Sequence, residues 1–131
     1  MGQRLEGKRA VITGGGRGIG KAIALSYVRE GAQCVITSRK LDDLEATSEE
    51  GPEGTIKPFV CDVSNDESVA AMAEFVNDEF GGVDIVVNNA GIHAAGRFLD
   101  IDPATYTRLY EVNVVGIVRV SQAFLGGMIE R

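Results

Sequence analysis

Short apolar runs alternate with amphipathic or polar stretches along the whole chain. Runs rich in β-branched residues predict four strands, at residues 9–13, 33–37, 55–63 and 83–87. The stretches between and after them predict four helices, at residues 18–31, 40–51, 64–81 and 102–131. A strand followed by a helix, repeated in this way, predicts an α/β fold: a doubly wound parallel sheet with helices on both faces.

Local signals refine several of these elements. Ser64 stands three residues before Glu67, which predicts a capping box at the start of the third helix. Pro58 favours an edge position for the third strand, because proline cannot donate a hydrogen bond to a neighbour. Residues 83–87 are nearly all apolar, which is typical of a central strand covered on both faces. Asp102, followed by proline, predicts the N-cap of the last helix.

A glycine-rich segment, TGGGRGIG at residues 13–20, lies between the first strand and the first helix. The N-terminus of a helix offers unpaired N–H groups and a partial positive charge, and a phosphate approaches them closely only where side chains are missing. A glycine run by itself is also compatible with a simple tight turn. Between a strand and a helix of a parallel unit, it favours binding of a pyrophosphate.

Composition and charge narrow the classes of function. The 131 residues are enough for one domain, which we place at residues 1–131, and the net charge of −6 argues against nucleic acid as the main partner. We expect no membrane-spanning run and a cytoplasmic location. Cys34 and Cys61 lie within apolar stretches, which predicts buried, reduced thiols, and no spacing of residues indicates a metal site.

Four motifs in order point to a known family. The glycine segment reads TGxxxGxG, Asp62 follows the third strand, NNAG occupies residues 88–91 after the fourth, and Asn113 lies in the long last helix. With these motifs the chain resembles the classical short-chain dehydrogenases/reductases over its whole length. The resemblance implies a Rossmann-type sheet of about four strands in the order 3-2-1-4, and it corresponds to the N-terminal, cofactor-binding half of that family.

The resemblance implies a set of cofactor-binding positions. They are Gly14, Arg17, Gly18, Ile19, Gly20, Ser38, Arg39, Asp62, Val63, Asn88, Asn89, Ala90 and Gly91. The three glycines of the motif would form the pyrophosphate turn, with Ile19 adding backbone N–H contacts. Asp62, with Val63 beside it, would accept a hydrogen bond from the adenine amino group, although a solvated carboxylate at a strand end is the alternative from the residues alone. Residues 88–91 would form a shelf behind the adenosine ribose and tie the fourth strand to its neighbours, where spacing alone also allows a plain polar turn.

The end of the second strand bears on the choice of nicotinamide cofactor. A carboxylate there would bind the ribose 2′-OH of NAD and repel the 2′-phosphate of NADP. Ser38 stands at the position where the family's NAD users carry Asp, and Arg39 follows it. Arg17, in the glycine segment, offers a second positive charge. Both features match the family's NADP-preferring pattern, so we expect NADP(H) to be preferred over NAD(H).

The proton-donating group of the family is missing from these residues. The family uses a Tyr four residues before a Lys, with a Ser upstream, to move a proton to or from an alcohol or carbonyl substrate. None of Tyr27, Tyr106 and Tyr110 has a Lys four positions later. Of the family's catalytic group only Asn113 is present, and it catalyses nothing by itself. His93, the single histidine, is interpreted as a loop residue rather than a base.

Two hypotheses follow. The chain is the NADP(H)-binding part of an oxidoreductase, truncated before the catalytic Ser and YxxxK and inactive alone. Alternatively, it is a catalytically empty binding or oligomerisation module that works through self-association or a partner chain. Both predict a homo-oligomer, because the fourth strand would carry an open apolar edge and the last helix an apolar face.

Overall fold

The computed structural model describes residues 2–131, which form alternating strands and helices as the periodicity predicts. The strands are β1 (Arg9–Thr13), β2 (Gln33–Ser38), β3 (Ile56–Val60) and β4 (Ile85–Val87). The helices are α1 (Gly18–Arg29), α2 (Leu41–Glu50), α3 (Asp66–Phe80), α4 (Pro103–Tyr110) and α5 (Gly116–Glu130). A 3-10 turn, Phe98–Asp100, precedes α4, and a π-helical segment, Glu111–Val115, joins α4 to α5.

All four strands are parallel and lie in the order β3-β2-β1-β4, which confirms the predicted doubly wound fold and strand order. Within the described residues β3 pairs only with β2, so Pro58 lies on an edge strand as predicted. The prediction that residues 83–87 form a central strand is wrong for this chain, because β4 pairs only with β1 there and its three residues are half-buried.

Two hydrophobic clusters fill the two faces of the sheet, because successive strand residues point to opposite sides. Val11 and Val35 face α3 and α5, in a cluster that includes Met72, Val76, Val120 and Phe124. Ala10, Ile12, Cys34 and Ile36 face α1 and α2, in a cluster that includes Ala24, Val28 and Leu44. Helices therefore cover both faces of the sheet, and the edge formed by the carboxyl ends of the strands lies between them.

Both cysteines are free and buried, as the sequence predicts. Cys34 belongs to the core beneath α1 and α2, and burial raises the pKa of its thiol to about 12. Burial also raises the pKa of Cys61, although the side chain of Ser68 opposes the shift. Neither thiol is activated as a nucleophile in this environment.

The start of α3 differs from the predicted capping box. Asn65 is the N-cap, and its side-chain oxygen accepts a hydrogen bond from the Ser68 N–H at 2.8 Å. Ser64 instead donates its hydroxyl to Asp62 Oδ1, at 2.6 Å. The capping prediction is wrong because the carboxylate of Asp62 competes for this hydroxyl. At α4 the predicted cap is confirmed, since Asp102 Oδ1 accepts from the Ala104 N–H at 2.8 Å.

The chain from Pro103 to Glu130 forms one helical run of 28 residues through the π-helical segment. By length and composition this run could cross a membrane, with a mean hydropathy of 1.5 over an 18-residue window, so the expectation that no such run exists is wrong. Length and composition are weak evidence on this point, because long apolar helices of soluble proteins pass the same test. Only 22% of that window is buried, which leaves a broad apolar face exposed.

Candidate nucleotide-binding site

A cleft of about 630 Å³ opens at the carboxyl ends of the strands. This is the edge where ligands bind in open parallel sheets. Ten of the predicted cofactor-binding residues line it: Gly14, Arg17, Gly18, Ser38, Arg39, Asp62, Val63, Asn89, Ala90 and Gly91. The cleft is also lined by residues that the sequence did not single out: Gly16, Thr37, Lys40, Asp43, Cys61, Ile92 and Val112. Ile19, Gly20, Asn88 and Asn113 lie outside its lining.

The glycine turn brings bare backbone to the start of α1. Gly14 and Gly18 have φ angles of +67° and +59°, a region that favours glycine, and a Cβ at Gly18 would point into open space. Arg17, the N-cap, makes no side-chain hydrogen bond to the first turn, and that turn contains no acidic residue. Among the described residues the N–H groups at the start of α1 therefore have no side-chain cap, and they are suited to an anionic ligand.

Gly20 has a different role from the glycines that face the cleft. It is buried beneath the turn, where a Cβ would lie 2.1 Å from the Gly14 carbonyl oxygen and 2.5 Å from Asn89 Nδ2. Its missing side chain lets α1 pack directly on the turn. Ile19, in contrast, is 74% exposed and does not line the cleft.

A set of hydrogen bonds that we call the clasp joins the end of β1 to the end of β4. The buried hydroxyl of Thr13 accepts from the backbone N–H groups of Asn89 and Ala90, at 3.0 and 2.9 Å. The side-chain amide of Asn89 donates to the Gly14 carbonyl at 3.1 Å. Sequence reasoning gave Asn89 and Ala90 a tying role but missed Thr13, whose only signal was its place as the first residue of the TGxxxGxG motif.

A Thr13→Val variant is expected to lower the free energy of unfolding by about 2–3 kcal/mol, because two N–H groups in the partly buried clasp would lose their acceptor. Thr13→Ser, which keeps the hydroxyl, is expected to retain most of that stability. Urea unfolding of both variants followed by circular dichroism measures the difference. Equal loss in the two variants would mean that the methyl group of Thr13, and not its hydroxyl, stabilises the site.

One end of the cleft is rich in positive charge. Arg17 on the glycine turn and Arg39 and Lys40 after β2 all line it, and the acidic residues of the cleft lining are Asp43, in the first turn of α2, and Asp62. Ser38 lies at the base, where its hydroxyl accepts from the Lys40 N–H at 3.2 Å. The structure brings Arg17, Ser38 and Arg39 to one cleft, as the sequence predicts. It also places Lys40 and Asp43 in the lining, and the sequence analysis did not predict these two residues.

Asp62 also lines the cleft, just after β3, which is the neighbour of β2 in the sheet. Its Oδ1 accepts from both the N–H and the hydroxyl of Ser64, at 2.9 and 2.6 Å. These hydrogen bonds lower the pKa of the Asp62 carboxyl, with smaller contributions from the positive charges of Arg39 and Arg108. Asp62 is therefore held as a carboxylate that can accept a further hydrogen bond from a ligand.

A Ser64→Ala variant is expected to raise the pKa of Asp62, because the charged form loses its shortest hydrogen bond. A carboxyl whose pKa is depressed in the folded state contributes stability above its unfolded value, about 3.9, and that contribution is lost as the pH falls through the folded value. The variant should thus be less stable than the wild type at pH 7, and the difference should shrink below pH 4. NMR titration of the Asp62 carboxyl carbon tests the shift, and an unchanged pKa would contradict it.

Asn88 and Asn113 tie the cleft to the last helices. The amide of Asn88 donates to the Ser121 hydroxyl at 3.2 Å. Asn113, in the π-helical segment, accepts from the Ile92 N–H at 2.9 Å and donates to the Ile92 carbonyl at 2.8 Å. Its side chain therefore fixes the loop after β4. His93 is exposed and does not line the cleft. Within residues 2–131 no group of three or more His, Cys, Asp or Glu side chains could hold a metal ion.

The parallel sheet, the glycine turn and the cleft at the carboxyl edge define an α/β protein of the doubly wound class, in which ligands bind at this edge. A family model described as short chain dehydrogenase matches residues 8–131. The chain belongs to this family, which the four sequence motifs had indicated.

Known relatives are similar along nearly all of the chain. The probable oxidoreductase EphD of Mycobacterium tuberculosis is 44% identical over 122 residues, which cover 92% of this chain and 21% of EphD. A crystal structure of a short-chain type dehydrogenase/reductase from Mycobacterium marinum matches with a TM-score of 0.90 and 38% identity over 96% of this chain and 52% of that one. L-sorbose reductase from Gluconobacter frateurii, solved with NADPH and L-sorbose, matches with a TM-score of 0.91 and 34% identity over 100% of this chain and 51% of that one. The chain thus spans about half or less of the length of these relatives.

Proposed function

We propose that this chain binds NADP(H) in preference to NAD(H), as the cofactor-binding part of an oxidoreductase that transfers hydride between the nicotinamide and an alcohol or carbonyl. The observation that carries the proposal is the cationic end of the cleft, formed by Arg17, Arg39 and Lys40. Ser38 stands there in place of a carboxylate, so nothing at this position repels a 2′-phosphate. The reductase from Gluconobacter frateurii, which was solved with NADPH, is a structural relative that supports the choice of cofactor.

The residues present fit the pyrophosphate, the 2′-phosphate and the adenine of the proposed cofactor. The uncapped start of α1 and the glycine turn would hold the pyrophosphate, because no Cβ at Gly18 blocks the approach. Arg17 and Arg39 would bind the 2′-phosphate, and Asp62 would accept from the adenine amino group. When bound, the nicotinamide supplies the hydride. The chain's own residues bind and orient it.

Chemistry on a substrate needs groups that these residues do not contain. Tyr27, Tyr106 and Tyr110 have no Lys four positions later, and the side chain of Asn113 is committed to Ile92. We therefore propose that the chain is inactive alone. A catalytically empty module that works through self-association or a partner chain is the second candidate, favoured by the exposed apolar face of the last helices.

Titration of the purified chain with NADPH and, separately, NADH tests the proposed function. Nicotinamide fluorescence and calorimetry follow the binding. Saturable binding of NADPH that is tighter than that of NADH is the expected result. If a folded sample binds neither cofactor, the proposal fails and the module hypothesis gains.

We also propose that the chain forms a homo-oligomer in the cytoplasm. Tyr110, Val114, Ile117 and Leu125 along the last helices are 42–60% exposed, and β4 presents an unpaired edge within the described residues. Size-exclusion chromatography with light scattering at tens of micromolar is expected to give a mass above the 13.9 kDa of one chain. A clean monomer would contradict the proposal.

A further inference from the structure

Arg119, on α5, lies at a junction of three segments of the chain. Its Nε is 2.6 Å from Asp66 Oδ1 in the first turn of α3, and its Nη2 is 2.8 Å from Glu111 Oε1 in the π-helical segment. Its Nη1 donates to the Val63 carbonyl at 3.4 Å. The side chain of Arg119 is only 19% exposed, although both of its acidic partners are more open to solvent.

Two of these segments carry walls of the cleft. Val63 lines the cleft directly, and Val112, the residue after Glu111, lines it from the π-helical segment. The next residue, Asn113, fixes Ile92, which also lines the cleft. A shift of the π-helical segment relative to Val63 would therefore change the spacing of the residues that line the cleft.

Packing beside Arg119 explains why this distance is sensitive. Gly116, one turn earlier on α5, lies against Val63 so closely that a Cβ there would be 2.8 Å from Val63 Cγ2. The Val63 side chain, just after β3, thus packs directly on the backbone of α5, with no side chain at Gly116 between them. A guanidinium can hold three acceptors at once because its five N–H groups form a rigid planar fork, whereas a lysine ammonium acts as a point charge.

We propose that Arg119 is a positioning residue for nucleotide binding: it fixes Val63 and the segment that contains Val112 and Asn113 at the separation that the adenosine half of the ligand requires. The inference rests on the proposed function and goes beyond it, because Arg119 does not line the cleft. The adenosine half is common to NADP(H) and NAD(H). A residue that acts through the walls therefore changes the affinity for both cofactors equally, unlike a residue that binds the 2′-phosphate.

The test compares Arg119→Met, Arg119→Lys and a control, Arg4→Met, in titrations with NADPH and NADH. Arg4 is 85% exposed and pairs with Glu30, away from the cleft, so its variant removes the same charge without touching the junction. Arg119→Met is expected to weaken both cofactors by the same factor, about tenfold, the size of one lost charge-assisted hydrogen bond. Arg119→Lys should fall between it and the wild type, and Arg4→Met should match the wild type.

Hydrogen exchange of the ligand-free protein is the second measurement. The Ile92 N–H, which donates to Asn113, is expected to exchange faster in Arg119→Met than in the wild type or in Arg4→Met. If the wild type binds neither cofactor, the proposed function fails, and exchange at Ile92 alone then decides whether Arg119 positions the loop. Should Arg119→Met not fold, Arg119→Lys takes its place in both measurements.

Three results would overturn the inference. They are unchanged affinity for both cofactors in a folded Arg119 variant, unchanged exchange at Ile92, or loss of affinity for NADPH alone. Loss of affinity for NADPH alone would mean that Arg119 binds the 2′-phosphate directly. A purely structural role for Arg119 would lower the global stability of the protein without an equal loss of affinity for both cofactors.

Discussion

A Gly20→Ala variant is expected to lose nucleotide binding and about 3 kcal/mol or more of the free energy of unfolding. The added Cβ would lie 2.1 Å from the Gly14 carbonyl oxygen and 2.5 Å from Asn89 Nδ2. The first atom is backbone, and the second, at the end of the Asn89 side chain, is held by its hydrogen bond to that same carbonyl in the clasp. Relief of the overlap would push α1 away from the turn and move the N–H groups that face the cleft.

Gly126→Ala is the matched control. Gly126 lies within α5, and a Cβ there would have nothing within 4 Å. Alanine favours a helix over glycine by about 0.5–1 kcal/mol, so this variant should be more stable than the wild type. Guanidinium unfolding of both variants is therefore expected to show changes of opposite sign in the free energy of unfolding, although both substitutions replace glycine with alanine. A Gly20→Ala protein with wild-type stability and affinity would mean that the turn tolerates a side chain beneath it.

An Arg39→Ala variant is expected to bind NADPH about 10 to 100 times more weakly and NADH with unchanged affinity. A hydrogen bond to a charged group contributes about 1.5–3 kcal/mol, and only NADPH has the 2′-phosphate that the proposed site would place against Arg39. Lys40 and Arg17 line the same end of the cleft, so selectivity should fall without vanishing.

Arg29→Ala, at the far end of α1, controls for the general loss of a positive charge. Both variants are titrated calorimetrically with both cofactors at two salt concentrations. Salt screens long-range attraction but screens a direct contact much less, so the comparison separates these two effects of Arg39. Parallel losses for NADPH and NADH in Arg39→Ala would contradict a 2′-phosphate site. The prediction of NADP(H) preference would then have to rest on Arg17 and Lys40.

The fold could be predicted from the sequence because its signals are local. Apolar periodicity gave the alternating elements, and the glycine segment at residues 13–20 placed the cleft at the first strand and helix. The capping of α3 was missed because Ser64 and Asn65 are both good N-caps, and the choice depends on the carboxylate of Asp62, which claims the Ser64 hydroxyl. The sequence pattern alone does not show which of two possible N-cap residues is bound by another group in the folded protein.

The position of β4 and the role of Arg119 show a second kind of gap. The apolar run at residues 83–87 indicates that the strand is covered by other parts of the protein. It does not indicate which strands pair with its two edges. Arg119 has an ordinary place in an amphipathic helix, and its partner Asp66 is 53 residues away in sequence. Contacts between residues so far apart in sequence can be identified only once the structure shows that α3 and α5 lie side by side.

The pairing of β1 with β4 has a consequence for folding kinetics. Ala10 pairs with Cys34 in β2 but also with Ile85 in β4, and the clasp between Thr13 and Asn89 spans 76 residues. Closing the longer loop costs more chain entropy, so β4 is expected to dock after β1, α1 and β2 have formed their unit. Interactions made after the transition state mainly slow unfolding, and the Thr13 hydroxyl should therefore act on the unfolding rate. Since residues 89–92, which follow β4, line the cleft, a folding intermediate in which β4 has not docked would have an incomplete cleft.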